Sequence, residues 1–385
     1  MGRRKRFGYG DRPVIGGILV KHIGWESIFF VNIPVGIVAI SLTLWAIKQS
    51  RDESAARRID LFGFSSFTVF MFCLIYGLIQ VNQEGNEWTS PEVWWLLGIS
   101  ILALVVFIAG ELRLKHPMVD PRLFKIPSFT GSAIAAFCLS VGMYALLFNL
   151  SIYLQSFLGL DALETGVKLI AFTAMALLFG PLSGALMGKT SPKSLVVVSM
   201  VLLAAGVYSM SFLTHHNDPA KWIVLLPGFI IAGIGSGLIN PPISNLAIGT
   251  VPVQRAGMAS GVSNVARQMG SAFGIALYGA ILSSRFRSLV TDGIQSLQDG
   301  QLAESAKEQV IQAIESAGPI AGSNGLTGME QSAIFENDPL FDTYREIARA
   351  SFVDGTIGII KIASVILATG AVLCLVLIRK KDLRH

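Results

Sequence analysis

A chain of 385 residues that is 52% hydrophobic and 14% charged, with a mean hydropathy of +0.60, cannot clothe a water-soluble surface; soluble enzymes and soluble binding domains are excluded. The formal net charge of +5 does not point to nucleic acid, because the basic residues cluster in short loops beside apolar runs and form no basic groove interleaved with aromatics. Those runs have helix length, and the alternating ten-residue segments of a β-barrel are absent, so the fold class is an all-α integral membrane protein.

In chain order, Arg3, Arg4, Lys5 and Arg6 come first, followed by "GYGDRPVIGG" (Gly8–Gly17). The apolar scrap Pro13–Val20 is too short to span, and Asp11 and Arg12 interrupt its approach, so it reads as a partial helix. Nine runs are long enough to cross: about Ser27–Ile47, Leu61–Val81, Val93–Gly110, Phe129–Leu158, Glu164–Gly188, Leu195–Thr214, Trp222–Gly249, Ala256–Ser283 and Val353–Ile378. Several exceed the length a bilayer needs, which predicts tilt, helical extension beyond the membrane or kinks.

Lysine and arginine alternate between the connections. Lys48, Arg51, Arg57 and Arg58 follow the first run, and none lies between Gln83 and Glu92; Arg113, Lys115, Arg122 and Lys125 come next. Lys189, Lys193, Arg255, Arg379, Lys380, Lys381 and Arg384 keep the same side, which the positive-inside rule makes cytoplasmic, with the C-terminus. The six tryptophans sit at run ends, as an interfacial belt. Arg285–Ser351 is the one long polar connection, expected outside as a cap with helical patterning in Leu302–Ile314 and Phe341–Ala350. Cys73, Cys138 and Cys374 lie within apolar runs and read as packing residues.

Four strings carry a resemblance: "GWESIFFVNIPVG" (Gly24–Gly36), "LGLDALETG" (Leu158–Gly166), "GIGSGLINPP" (Gly233–Pro242) and "VPVQRAGMASGVSNVARQMGSAFGIALYGAIL" (Val251–Leu282). The sequence resembles the fourteen-helix drug:proton antiporter branch of the major facilitator superfamily from about Pro13 to the C-terminus. Pro13, Gly16 and Gly17 match the end of that family's antiporter motif, and Trp25, Phe29, Asn32 and Pro34 match the entrance to its sixth helix; Arg12 and Glu26 depart from the pattern.

The resemblance implies a start within the fifth helix and a major facilitator-type bundle of nine full transmembrane helices plus a partial one. Residues 1–47 would be a remnant of the N-terminal bundle, 48–127 two linker helices with cytoplasmic loops, and 128–385 a six-helix C-terminal bundle with an extracytoplasmic loop at about 285–351. It further implies export of small amphipathic or drug-like molecules by alternating access, proton-coupled in the intact form, in the cytoplasmic (inner) membrane. The alternative is a transport-incompetent truncated or frameshifted fragment, or a membrane-anchored binding partner. Implied partners are a small-molecule substrate, protons and the lipid bilayer, with a periplasmic adaptor or self-association left open. No cofactor, metal or enzymatic chemistry is expected, since no acid–base or nucleophile cluster shares one depth.

Arg267 is the most informative charge, roughly 16 Å into its run if helical. It reads either as an arginine snorkelling or bonded to a neighbouring helix, or as a group in the substrate pathway. Gln268, Asn264, Asn149, Gln155 and Asn240 are the other pathway candidates, with Phe137, Met143, Phe148 and Met175 as adaptable apolar surface. Gly180, Gly184, Gly257, Gly261, Gly270 and Gly274 form small-xxx-small spacings and are expected at close helix crossings. No carboxylate or histidine falls at mid-depth, and the G-x-G-x-G at Gly233–Gly237 has no strand before it, so no dinucleotide site is expected.

Overall fold

A computed structural model describes residues 24, 26–46, 60–81, 89–114, 117–213, 215, 218–297, 304–327, 329, 335, 338–379 and 382. The expected antiporter-motif residues Pro13, Gly16 and Gly17, and Trp25 and Trp88, lie outside them. A single turn, Ser27–Phe30, leads into α1 (Asn32–Ala46), followed by α2 (Leu61–Gln80), α3 (Pro91–Arg113), α4 (Pro127–Phe157) and α5 (Ala162–Met187). The remainder are α6 (Pro192–Ser209), α7 (Pro219–Gly249), α8 (Ala256–Gln295), α9 (Glu304–Ser323, broken by a kink at Gly318) and α10 (Phe341–Leu377).

Seven of these helices are long and apolar enough to span a membrane: α2 to α7 and α10. Two of the nine expected spans differ. α1 has only 15 residues, none of them buried. α8 has 40 residues but is not apolar along its length, since it carries Arg267, Arg285, Arg287 and Asp292. The boundaries of the expected polar connection also move. α8 runs on to Gln295, past the expected end at Ser283, while the helical patterning expected in Leu302–Ile314 and Phe341–Ala350 appears as α9 and as the start of α10.

The starts of the helices follow from local chemistry. Proline stands in the first turn of α3, α4 and α6, where no intrahelical donor is needed. α5 opens with a capping box in which the Glu164 N–H donates to Asp161 Oδ1 at 2.7 Å and the Asp161 N–H to Glu164 Oε2 at 3.0 Å. Asp60 caps α2 by accepting from the Gly63 N–H at 2.7 Å.

α2 and α3 pair as a hairpin whose other neighbour is α8, through Val81, Val93 and Ala280. A strap at its end ties it to the bundle. Met118 N–H donates to Asp60 Oδ2 and Val119 N–H to Glu111 Oε2, each at 3.2 Å, and Asp120 accepts from Arg255 Nη1 at 2.6 Å.

α4 to α8 and α10 form one continuous core. Its closest crossings are made by glycine, because two backbones can meet only where no side chain intervenes. A β-carbon at Gly233 would come 2.5 Å from the Phe172 carbonyl oxygen, and one at Gly237 2.6 Å from that of Ala176, so α7 lies directly on α5. Gly235 makes the same approach to α6, 2.8 Å from the Ser199 oxygen. The three alternate glycines therefore serve two helix contacts.

Pro241 and Pro242 interrupt the α7 ladder, since neither can donate to the carbonyl one turn earlier. For Pro242 that carbonyl is Leu238, and it is satisfied from α5: Ser183 Oγ donates to Leu238 O at 2.6 Å, both residues being buried. Ser183→Ala is expected to orphan this acceptor and cost about 1–3 kcal/mol. The check is the thermal unfolding midpoint of the purified chain in detergent; an unchanged midpoint would mean that water or a relaxed α7 replaces the bond.

Beyond the bundle, the ends of α8 and α10 form a three-helix cap with α9. Phe286, Val290 and Ile294 of α8 and Tyr344, Ala348 and Phe352 of α10 are buried with Val310 and Ile314 of α9. Lys307 Nζ donates to Leu297 O at 3.1 Å, Thr291 Oγ1 to Glu315 Oε1 at 2.9 Å, and Arg345 Nε to Gly325 O at 3.1 Å.

Candidate functional site

A cavity of about 700 Å³ opens among α4, α5, α7 and α8. From α5 come Phe172, Thr173, Ala176, Leu177, Gly180 and Pro181; from α7 come Ser236, Gly237, Asn240 and Pro241. α4 contributes Tyr144 and α8 contributes Arg267. The wall is thus aromatic, aliphatic and proline surface with a few separated polar groups, the composition of a small-molecule pocket.

Backbone features place Tyr144 and Asn240. Tyr144 lies in a π-helical turn, Ser140–Ala145, which breaks the ordinary helical register of α4 and presents the phenol toward α7. Asn240 Nδ2 reaches Tyr144 Oη at 3.5 Å while donating to Ser236 O at 2.8 Å. Pro241 leaves the Gly237 carbonyl without its helical donor, and Gly180, whose β-carbon would be 4.0 Å from that oxygen, leaves the space beside it open. Arg267 Nη2 donates to Ser244 Oγ at 3.4 Å, and its Nε is sealed from solvent without an acceptor.

The structure brings together three of the residues singled out from sequence, Arg267, Asn240 and Gly180. The others lie elsewhere. Asn149 is buried, with its Nδ2 donating to Ala145 O at 3.2 Å inside its own helix. Gln155, Asn264 and Gln268 are exposed and line no part of the cavity. Of the apolar candidates, Met143 is fully buried, Phe137 pairs with Phe273 at 6.0 Å, Phe148 is exposed, and Met175 packs under Gly233.

The glycines divide. Gly270 and Gly274 press on α4, with β-carbons that would fall 2.6 Å from Phe137 O and 2.7 Å from Ala145 Cβ. At Gly184, Gly257 and Gly261 nothing lies within 4 Å, so among the described residues these three meet no crossing helix, and the close contact expected of them is absent. Tyr144, Phe172, Thr173, Pro181 and Ser236 are lining residues that sequence reasoning did not select. Proline within a transmembrane run was the available signal for Pro181; for Tyr144 the π-turn removed the periodicity that would have placed it.

Apolar helices of spanning length packed around a polar-spotted cavity define a multi-pass all-α membrane protein. The chain belongs to the Major Facilitator Superfamily, whose family model matches residues 10–275, and falls within its drug-efflux branch. It is 30% identical over 344 residues to the multidrug resistance protein Stp of Mycobacterium tuberculosis, covering 89% of this chain and 61% of Stp. It is 30% identical over 280 residues to the tetracenomycin C resistance and export protein of Streptomyces glaucescens (73% and 51%). It is 29% identical over 277 residues to the methylenomycin A resistance protein of Streptomyces coelicolor (71% and 56%). The chain therefore spans between 51% and 61% of the length of these curated relatives.

Proposed function

We propose that this chain supplies the C-terminal half of an export pathway for small amphipathic, drug-like molecules, working by alternating access in the cytoplasmic membrane with its C-terminus inside. The observation that carries this reading is the cavity among α4, α5, α7 and α8, large enough at about 700 Å³ for a drug-sized molecule and lined mainly by apolar groups. The resistance and export named for the Stp and tetracenomycin C relatives support the same direction of transport. Arg267, Asn240 and Tyr144 are the substrate-pathway residues in this reading. Gly184, Gly257 and Gly261 keep the adjoining faces of α5 and α8 smooth where they meet no neighbour, which suits helices that slide past a partner.

The export is proton-coupled in the intact form. None of the residues lining the cavity is acidic, so the coupling proton is carried by groups outside it. The division into a remnant at 1–47, linker helices at 48–127 and a bundle at 128–385 belongs to the same proposal, supported by the strap between α3 and α4.

The test is accumulation of fluorescent drugs in efflux-deficient cells expressing this chain, alone and joined to the part of Stp that the match leaves uncovered. Lower accumulation in either form, abolished by dissipating the proton gradient, is the expected outcome. Unchanged accumulation in both, with each protein present in the membrane, would refute the export reading.

A further inference from the structure

Among the described residues Arg267 has no counter-ion. A guanidinium carries five N–H donors and no acceptor, and its charge is costly within a bilayer unless an anion or water compensates it. Yet among the described residues Arg267 takes part in no ion pair, its one hydrogen bond is the 3.4 Å contact to Ser244 Oγ, and its Nε is buried without a partner. The other lining groups do not compensate it: Thr173, Ser236, Asn240 and Tyr144 are neutral. A bound cation would meet this charge with no acidic lining residue to offset it.

We propose, building on the export reading above, that the cavity selects amphipathic anions: flat apolar molecules bearing a carboxylate, sulfonate or ionised phenol. The anionic oxygen is held by the Arg267 guanidinium, while the ring system lies against Phe172 and Pro181 and a further polar substituent meets Asn240 and Tyr144. A charge-assisted bond to an arginine fork is short and about twice as strong as a neutral one, and here it also supplies the acceptor that the guanidinium lacks. Cations of the same shape gain only the apolar contact and lose it again to repulsion.

Fluorescein and rhodamine 123 share a tricyclic body and differ in the sign of their charge, so they separate charge from shape. Fluorescence anisotropy of each with the purified full chain in neutral detergent is expected to give at least tenfold tighter binding of fluorescein. Arg267→Gln should remove that preference by weakening fluorescein alone, whereas Arg267→Lys should retain part of it. A monodisperse elution profile for both variants shows that folding is intact; if the glutamine variant does not fold, the lysine variant and the salt dependence of fluorescein binding carry the test. Equal binding of the two dyes, or tighter binding of rhodamine 123, would overturn anion selectivity. The export reading fails separately: an anion preference in binding with no effect on accumulation in cells leaves this inference standing and removes the other.

Discussion

Gly233→Val is expected to prevent the bundle from closing. The β-carbon alone would lie 2.5 Å from the Phe172 carbonyl oxygen and 2.8 Å from Met175 Cβ, and the oxygen belongs to a backbone whose helical bonds fix its place. The two helices must therefore separate along their whole crossing, which also draws Gly237 away from Ala176 and deforms the cavity wall that Gly237 helps to form. Overpacking in a dense core costs about 1–3 kcal/mol where side chains can yield, and more where a backbone must. The measurement is the monodisperse fraction after detergent extraction together with the unfolding midpoint. Gly184→Ala is the contrasting substitution: nothing lies within 4 Å of its β-carbon, and alanine is the better helix former, so its midpoint should equal or exceed the parent's. If Gly233→Val behaved like Gly184→Ala, the direct α5–α7 crossing would be wrong.

Phe286→Ala should have the second largest effect, confined to the cap. The ring is fully buried where α8 meets Gly322 of α9, and α9 joins the fold chiefly through α8 and α10. Emptying such a site costs about 3–5 kcal/mol, more than a small three-helix contact can lose and stay closed. Limited proteolysis should then cut between α8 and α10 at a much lower protease concentration than in the parent chain. Cleavage within α5 or α7 should stay unchanged, because their contacts do not involve the cap. Equal resistance of the two proteins to protease would show that the cap holds without its aromatic centre.

What could be read from sequence and what could not divides along physical lines. Apolar runs such as Leu61–Gln80 and Pro91–Arg113 are legible because the bilayer demands uninterrupted hydrophobic length, and both appear as helices within a few residues of the expected limits. The patterning of Leu302–Ile314 and Phe341–Ala350 was legible as helix, but the extension of α8 to Gln295 was not. Once outside the membrane, a helix buries only one face, so Arg285, Arg287 and Asp292 alternate with Phe286, Val290 and Ile294 and the hydropathy falls to that of a loop. Arg267 and Asn240 could be selected because a polar group at depth must face something polar or hollow. Gln155 and Asn149 satisfied the same criterion and yet do not line the cavity. Two π-helical turns, Ser140–Ala145 and Tyr153–Phe157, change the face that α4 presents on either side of them, and no spacing rule in the sequence announces either turn. The glycine pattern failed for a related reason: spacing identifies a smooth stripe but not the partner that lies on it, and only Gly270 and Gly274 of the α8 pairs meet one.

α8 is a single helix of 40 residues, pinned where Gly270 and Gly274 cross α4. From Gly274 the helix extends about 30 Å to Gln295, and about 10 Å in the other direction to Arg267. Its far end is clasped between α9 and α10 through Phe286, Val290 and Ile294, so a shift of the helix at the guanidinium is passed to the cap as a body rather than lost in a loose tip, and a fluorophore attached near Gln295 would register the occupancy of a cavity it never touches.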